Sequence, residues 1–169
     1  MENYIKAVLY AYPYLQETTR AYQAHIKTQA LFSCDGKMGV EKLAEYLAEE
    51  ILRKRRLLWV KETVEGVLDA CNGWERAMVE VLFFGRKCAR KLLIEKYAGQ
   101  GADLAYWRRC IRGQYQKELL QKVEHGLQNA GLTEELFHKE LLEIELLRKS
   151  FKYVLKKEER EKKAHSSGS

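Results

Sequence analysis

Proline is almost absent from this chain: Pro13 is the only one among 169 residues. Strand-rich chains of this length carry many proline and glycine turns, whereas long helices exclude proline from their interiors. Apolar residues, which make up 46% of the chain, recur at spacings of three, four or seven. These features predict an all-α fold, a helical bundle with a substantial apolar core.

The apolar spacing and the turn residues divide this helical chain into segments. Pro13 is expected to kink or divide the first helix, and the run SCDGKMG is a loop. The second helix carries an apolar stripe of Val40, Leu43, Leu47, Ile51, Leu58, Val64 and Leu68. Helices are predicted over 3–32, 40–71, 74–84, 86–97, 104–129 and 134–163, the last one fraying after Leu155. Asp103, Thr133 and Gly131 are the expected caps.

Larger units follow from these segments. We predict an N-terminal helical region over 1–72, a helix-turn-helix block over 73–130, a long C-terminal helix over 131–163 and a disordered tail over 164–169. The long second and last helices are expected to pack together or to pair across a homodimer.

The positive charge of the chain is confined to its middle. The net charge is +6, and residues 85–123 carry ten basic and three acidic side chains, while the flanking parts total −1 and 0. Such a concentration favours a surface that faces a polyanion over a merely basic protein.

The segment 104–127 combines this charge with a packing stripe. Apolar residues lie four apart along it: Trp107, Ile111, Tyr115, Leu119, Val123 and Leu127. The opposite face holds Arg108, Arg109, Arg112, Gln116 and Lys117, residue types that clamp phosphate or contact base edges. Gly113, on the same face, either permits close backbone approach or has no role. Arg86, Lys87, Arg90 and Lys91 in the preceding helix are placed to straddle a phosphate backbone.

A short helix, a glycine-containing turn and a basic helix form the order of a helix-turn-helix. From ERAMVEVLFFGRK through KLLIEKYAG to AYWRRCIRGQYQKELLQKVEHGL, the chain resembles the C-terminal DNA-binding region of bacterial sigma factors and related phage and Firmicute regulators. The resemblance covers residues 74–127, and Glu75-Arg76 matches the acidic-basic pair that opens a helix in this family, before the helix-turn-helix. It implies promoter-type contacts from Arg108, Arg109, Arg112 and Gln116. Ala105 and Tyr106 stand where the family's recognition helix usually begins with serine or threonine. Because of this departure we predict a sigma-like regulator and not a sigma factor itself. RNA polymerase or another transcription protein is a further expected partner.

Other readings remain open. An all-helical adaptor or antagonist of a transcription factor would present the same cations to an acidic protein, and an RNA-binding protein would share the basic patch. Arg53, Lys54, Arg55 and Arg56 form either a second phosphate-contacting face or a solvated turn balanced by Glu45, Glu49 and Glu50.

The residues favour a binding protein over an enzyme. The four cysteines and four histidines lie far apart, without metal-ligand spacing, so the sequence predicts no metal or cofactor. The cysteines are expected to be reduced and partly buried. No apolar run reaches the length of a membrane span, and no signal peptide is recognised. We therefore expect a cytoplasmic protein with duplex DNA, and no membrane, as its partner.

Overall fold

The computed structural model of the protein describes residues 2–32, 39–85, 113 and 116–166. All regular structure in that part of the chain is helical, which confirms the predicted all-α fold. The predicted helix 86–97, the start of helix 104–129, the Asp103 cap and most of the loop at 33–39 lie outside the described residues. The helices are α1 (Asn3–Phe32), α2 (Val40–Ala70), α3 (Gly73–Phe83), α4 (Gln116–Asn129), α5 (Glu134–Leu136) and α6 (Glu145–Ser166).

The first helix is the centre of the bundle. Ile5, Val8, Leu9 and Leu15 of α1 are completely buried, and α1 packs along both α2 and α6. The predicted packing of the second and last helices against each other within one chain is therefore wrong, because α1 is the principal partner of each. Their pairing across a homodimer stays a prediction. The helix is not divided at Pro13, which is exposed and lies within one continuous element.

Only the C-terminal half of α2 joins the core. Leu57, Val60, Val64 and Leu68 are buried there. Val64 and Leu68 of the predicted stripe are confirmed, but Val40 is 85% exposed and Ile51 is 38% exposed. The apolar period continues along all of α2, whereas the helices that would cover it reach only its second half.

An unpredicted capping box begins α3. The Asn72 side chain accepts a hydrogen bond from the Glu75 backbone N–H at 2.9 Å, and the Glu75 carboxylate accepts one from the Asn72 N–H at 3.0 Å. These two bonds satisfy backbone donors that the first helical turn leaves free. At the other end of the helix Gly85 has φ +64°, the left-handed conformation in which glycine stops a helix.

The predicted end of α4 is confirmed. Gly131 has φ +92°, its N–H donates to the Gln128 carbonyl, and the Leu132 N–H donates to the Leu127 carbonyl, both at 2.9 Å. This is the double hydrogen bond of a Schellman cap. Thr133 then caps the next helix, accepting from the Leu136 N–H at 3.2 Å.

The last helix differs from the prediction in two places. It is interrupted near its start, where a π-turn spans Phe137–Leu141 before α6 begins at Glu145. It also does not fray after Leu155, since α6 continues to Ser166 and includes the first residues of the predicted tail. The π-turn keeps Phe137, Leu141 and Ile144 buried despite the irregular backbone.

One cluster of buried residues joins the elements. It contains residues from α1, α2, α3, α4, the π-turn and α6, and the Tyr4 and Phe137 rings meet within it at 5.9 Å. The division into units at residues 72 and 130 stays a prediction. No described helix has both the length and the apolar character needed to cross a membrane.

Candidate nucleic-acid interface

Most of the predicted contact residues lie outside the described part of the chain. This group comprises Arg86, Lys87, Arg90, Lys91, Arg108, Arg109 and Arg112. Gln116 and Lys117 are described: they open α4, Gln116 half-buried and Lys117 exposed. Trp107, Ile111 and Tyr115 of the predicted stripe also lie outside the description, whereas Leu119, Val123 and Leu127 are buried as predicted.

Described residues from both sides of the segment 86–112 line one cleft at an end of the bundle. A cleft of about 680 Å³ is lined by Val81, Leu82 and Phe83 from the end of α3, and by Gly113, Gln116 and Lys117 from the far side of the segment. The start of α1 and the end of α6 complete its walls. The described residues on the two sides of 86–112 therefore lie around the same cleft.

The described part of the cleft lining is electrically balanced. Its described lining includes the cations Lys6, Lys117 and Lys157, and the carboxylates Glu2, Glu158 and Glu161. Lys6 contacts Glu158 at 3.4 Å and Glu2 at 3.7 Å. With its ammonium groups matched by carboxylates, this lining does not by itself attract phosphate.

Lys157 is held in the cleft wall by a tyrosine. Its Nζ donates to the Tyr10 hydroxyl at 2.9 Å and lies 5.5 Å from the centre of that ring. Burial is the largest single influence and acts to lower the pKa of Lys157, but the hydrogen bond to Tyr10 and the charge interactions with Tyr10, Tyr153 and Glu161 together outweigh it, and the net shift is upward. Lys157 is thus a charged anchor between α1 and α6, while the exposed Lys117 is the described cation best placed to extend the basic segment.

The second cationic run, residues 53–56, is largely engaged inside the protein. Arg53 contacts Glu50 at 2.6 Å and Glu49 at 3.7 Å. Arg56 contacts Glu140 at 3.0 Å and Glu143 at 3.8 Å across to the π-turn region, and Lys54 donates to Gln23 of α1. Arg55 alone of the four is exposed. These contacts favour a run of cations that is balanced by partners within the protein over a phosphate-contacting face.

The acidic-basic pair at 75 and 76 is also used structurally. Glu75 receives Lys122 of α4 at 2.7 Å, and Arg76 contacts Asp69 at 2.7 Å and Glu80 at 3.4 Å. The hydrogen bond to Glu75 raises the pKa of Lys122. Lys122, although it belongs to the basic third of the sequence, therefore ties α4 to α3. Asparagine followed by glutamate three residues later is a sequence signal for a capping box, and it could have indicated the structural role of Glu75.

Neither thiol nor metal chemistry is indicated among the described residues. Cys71, the one cysteine described, is half-buried and forms no disulfide. Burial, with a smaller contribution from Glu75, raises the pKa of the Cys71 thiol, so that it stays protonated. In the same ranges, no group of three or more acidic, histidine or cysteine side chains is arranged to hold a metal ion. His138 is exposed, with its ring edge-on to Phe137 and Phe151.

No known protein family, curated protein or solved structure matches the chain.

Proposed function

We propose that this protein is a sigma-like DNA-binding regulator that contacts duplex DNA through residues 86–112, with Gln116 and Lys117 extending the contact surface. The observation that carries the proposal is a partition of charge. The described residues contain 21 basic and 21 acidic side chains, whereas residues 86–112 contain eight basic and two acidic ones. The whole excess of +6 therefore belongs to this one segment.

The position of the segment supports the same function. Phe83 and Gly113, which flank it in sequence, line one cleft, and the α4 helix that follows is anchored by Leu119, Val123 and Leu127 in the core. A helix that is held firmly by the core can position a recognition helix, because phosphate contacts from fixed positions set the register of a protein on the duplex. In this proposal Arg108, Arg109, Arg112 and Gln116 face the bases, and Arg86, Lys87, Arg90 and Lys91 face phosphates.

The cationic run at residues 53–56 is a weaker candidate than the segment 86–112. Arg53, Lys54 and Arg56 already have partners within the described chain, and a cation that leaves a carboxylate for a phosphate gains less than one that leaves water. Residues 148–163 of α6 also carry eight basic and three acidic side chains, so α6 is the alternative cationic surface that the experiment must separate from residues 86–112.

Fluorescence anisotropy with a labelled duplex at low salt tests the proposal. Arg108→Ala combined with Arg112→Ala should weaken binding by roughly tenfold or more, because each arginine contact with a base or phosphate contributes about 1 kcal/mol or more. The matched control is Lys152→Ala with Arg160→Ala, which removes two exposed cations from α6 and should change the affinity less than about twofold.

Two results would contradict the proposal. Undetectable binding of the unaltered protein to duplex DNA at low salt, together with a stable protein partner in a pull-down, would favour the adaptor function instead. Equal losses in the double variant and in the control would mean that the affinity comes from diffuse charge, not from the proposed recognition helix.

A further inference from the structure

The α1–α2 hairpin extends beyond the core of the bundle. None of the described residues from 20 to 31 or from 39 to 49 is fully buried, whereas the core residues of α1 lie between Tyr4 and Leu15 and those of α2 begin at Leu57. In the distal part of the hairpin the two helices contact each other, for example through the hydrogen bond between His25 and Tyr46, and the start of α6 borders a groove beside Tyr22 and His25. This end of α1 lies roughly 35 Å from the cleft, at 1.5 Å per helical residue.

The distal half of α2 carries more apolar surface than α1 covers. Leu43 and Leu47 are half-buried against α1. A second stripe of Ala44, Ala48 and Ile51 is exposed, with Leu52 beside it at 47% exposure. Residues at these spacings of four and three lie along one face of a helix. The stripe therefore forms a seam of the kind that a second helix covers.

Charge marks both ends of this seam. Glu41, Ala44, Ala48, Ile51 and Arg55 follow one another at intervals of three, four, three and four, the spacing of coiled-coil contact positions. Glu41 and Arg55 are both exposed, and among the described residues neither forms an ion pair. Because they are 14 positions apart, about 21 Å along the helix, they cannot reach each other within one chain.

We infer that the occupant of this seam is a second copy of the chain, bound through an antiparallel pair of α2 helices with Ala48 on the two-fold axis. This register places Glu41 of one copy opposite Arg55 of the other, twice by symmetry, and Ala44 beside Leu52. The alanine methyl at the axis allows the helices to approach closely. A parallel pair would instead place Glu41 against Glu41 and Arg55 against Arg55, which is repulsive, so the charges select the antiparallel arrangement.

The proposed interface is small, so only a weak dimer is expected. Contact over about 21 Å of one helix pair buries less than the roughly 1,600 Å² of a standard interface. The dimer should therefore exchange with monomer at micromolar concentrations, with a Kd between about 1 and 100 µM.

Sedimentation velocity without DNA, from about 1 to 200 µM protein, tests the dimer. Glu41→Arg and Arg55→Glu should each weaken self-association by roughly tenfold, because each creates two like-charge contacts across the axis. The combined variant restores both opposite-charge contacts and should return to within about threefold of the unaltered protein. Glu62→Arg is the matched control: it reverses an exposed charge of α2 outside the seam and should leave self-association unchanged.

Ala48→Gln tests the interface without changing charge. It places a longer side chain on the two-fold axis and should also reduce dimerisation. A protein that is monomeric across the whole range would overturn the inference, and so would reversals that leave self-association unchanged. If the single reversals weaken the dimer but the combination does not restore it, the antiparallel register is wrong. Because no DNA is present, these outcomes are independent of the proposed DNA contact.

Discussion

At the scale of single residues, Glu75 connects two elements. Its backbone N–H and its carboxylate form the reciprocal capping bonds with Asn72 at the start of α3. The same carboxylate receives Lys122 from α4, and the Glu75 side chain is only 15% exposed. The residue thus stabilises the beginning of one helix and fixes the position of the helix that follows the basic segment.

These two roles can be separated by substitution. Glu75→Ala removes both, and should lower the free energy of unfolding by at least about 1 kcal/mol, the usual cost of losing a helix cap. Glu75→Gln keeps an oxygen that can accept from the Asn72 N–H and loses only the ionic part of the Lys122 contact, so it should cost a small fraction of that. Urea denaturation of both variants measures the difference. Equal destabilisation would show that the ion pair, and not the capping box, is the main contribution of Glu75.

At the scale of elements, the contact between α2 and α4 depends on a glycine. A Cβ atom on Gly126 would lie 3.0 Å from Cγ2 and 3.1 Å from Cγ1 of Val67, whereas a Cβ on Gly66, one residue earlier in α2, would meet nothing within 4 Å. Both glycines are inside helices, where alanine is intrinsically favoured by about 1 kcal/mol. The two positions therefore allow a matched comparison, because an added methyl group meets a neighbouring side chain at Gly126 and open space at Gly66.

Gly66→Ala should stabilise the protein by about 0.5–1 kcal/mol, because only the helix propensity changes. Gly126→Ala should lose that gain and destabilise, since the β-branched Val67 side chain has few alternative rotamers and the helices must separate. Thermal or urea unfolding of the two variants provides the comparison. Introducing Val67→Ala should relieve the cost at Gly126, and the absence of such coupling in the double variant would refute the close contact as its cause.

Sequence reasoning placed the helices more reliably than it placed their buried faces. The start and end of α1, the start of α2 and the end of α4 follow local signals, among them the Gly131 stop and the Thr133 cap, and local signals are legible in sequence. The Asn72–Glu75 capping box was equally legible and was missed. Periodicity did not indicate that Ile51 would be exposed while Leu57 is buried, because it locates an apolar face without showing how far other helices cover it.

Other features depend on contacts between distant residues. The π-turn at Phe137–Leu141 and the continuation of α6 past Leu155 have no local signature. Asn3 and Lys6 of α1 meet Glu158 at 3.1 and 3.4 Å, a pairing 150 residues or more apart in sequence that gives the end of α6 a partner. For the candidate site, the concentration of charge is evident from the sequence, whereas the position of Phe83 and Gly113 around one cleft requires the fold.

At the scale of the whole molecule, charge and structure are divided in the same way. The described helices are neutral as a set, and residues 86–112 hold the entire net charge. A neutral scaffold neither attracts nor repels a polyanion at long range, so the electrostatic steering of DNA would be concentrated at the cleft end of the bundle. The exposed seam on α2 lies at the other end of α1, which keeps the proposed dimer contact away from the proposed DNA contact.

This division predicts how DNA binding depends on salt. Each phosphate neutralised by a cation contributes about 0.9 to the slope of log K against log salt. Since residues 86–112 contain eight basic side chains, the magnitude of the slope should not exceed about 7, or about 9 if Lys117 and one further scaffold cation take part. Arg108→Ala with Arg112→Ala should reduce it by about 2 where both residues contact phosphate, and by less where they contact bases. Lys152→Ala with Arg160→Ala should leave the slope unchanged. Anisotropy titrations at four or more salt concentrations measure the slopes of the unaltered protein and of both double variants. A slope that falls equally in both double variants would mean that α6 contacts phosphates as well, and that the contact is not confined to residues 86–112 and the start of α4.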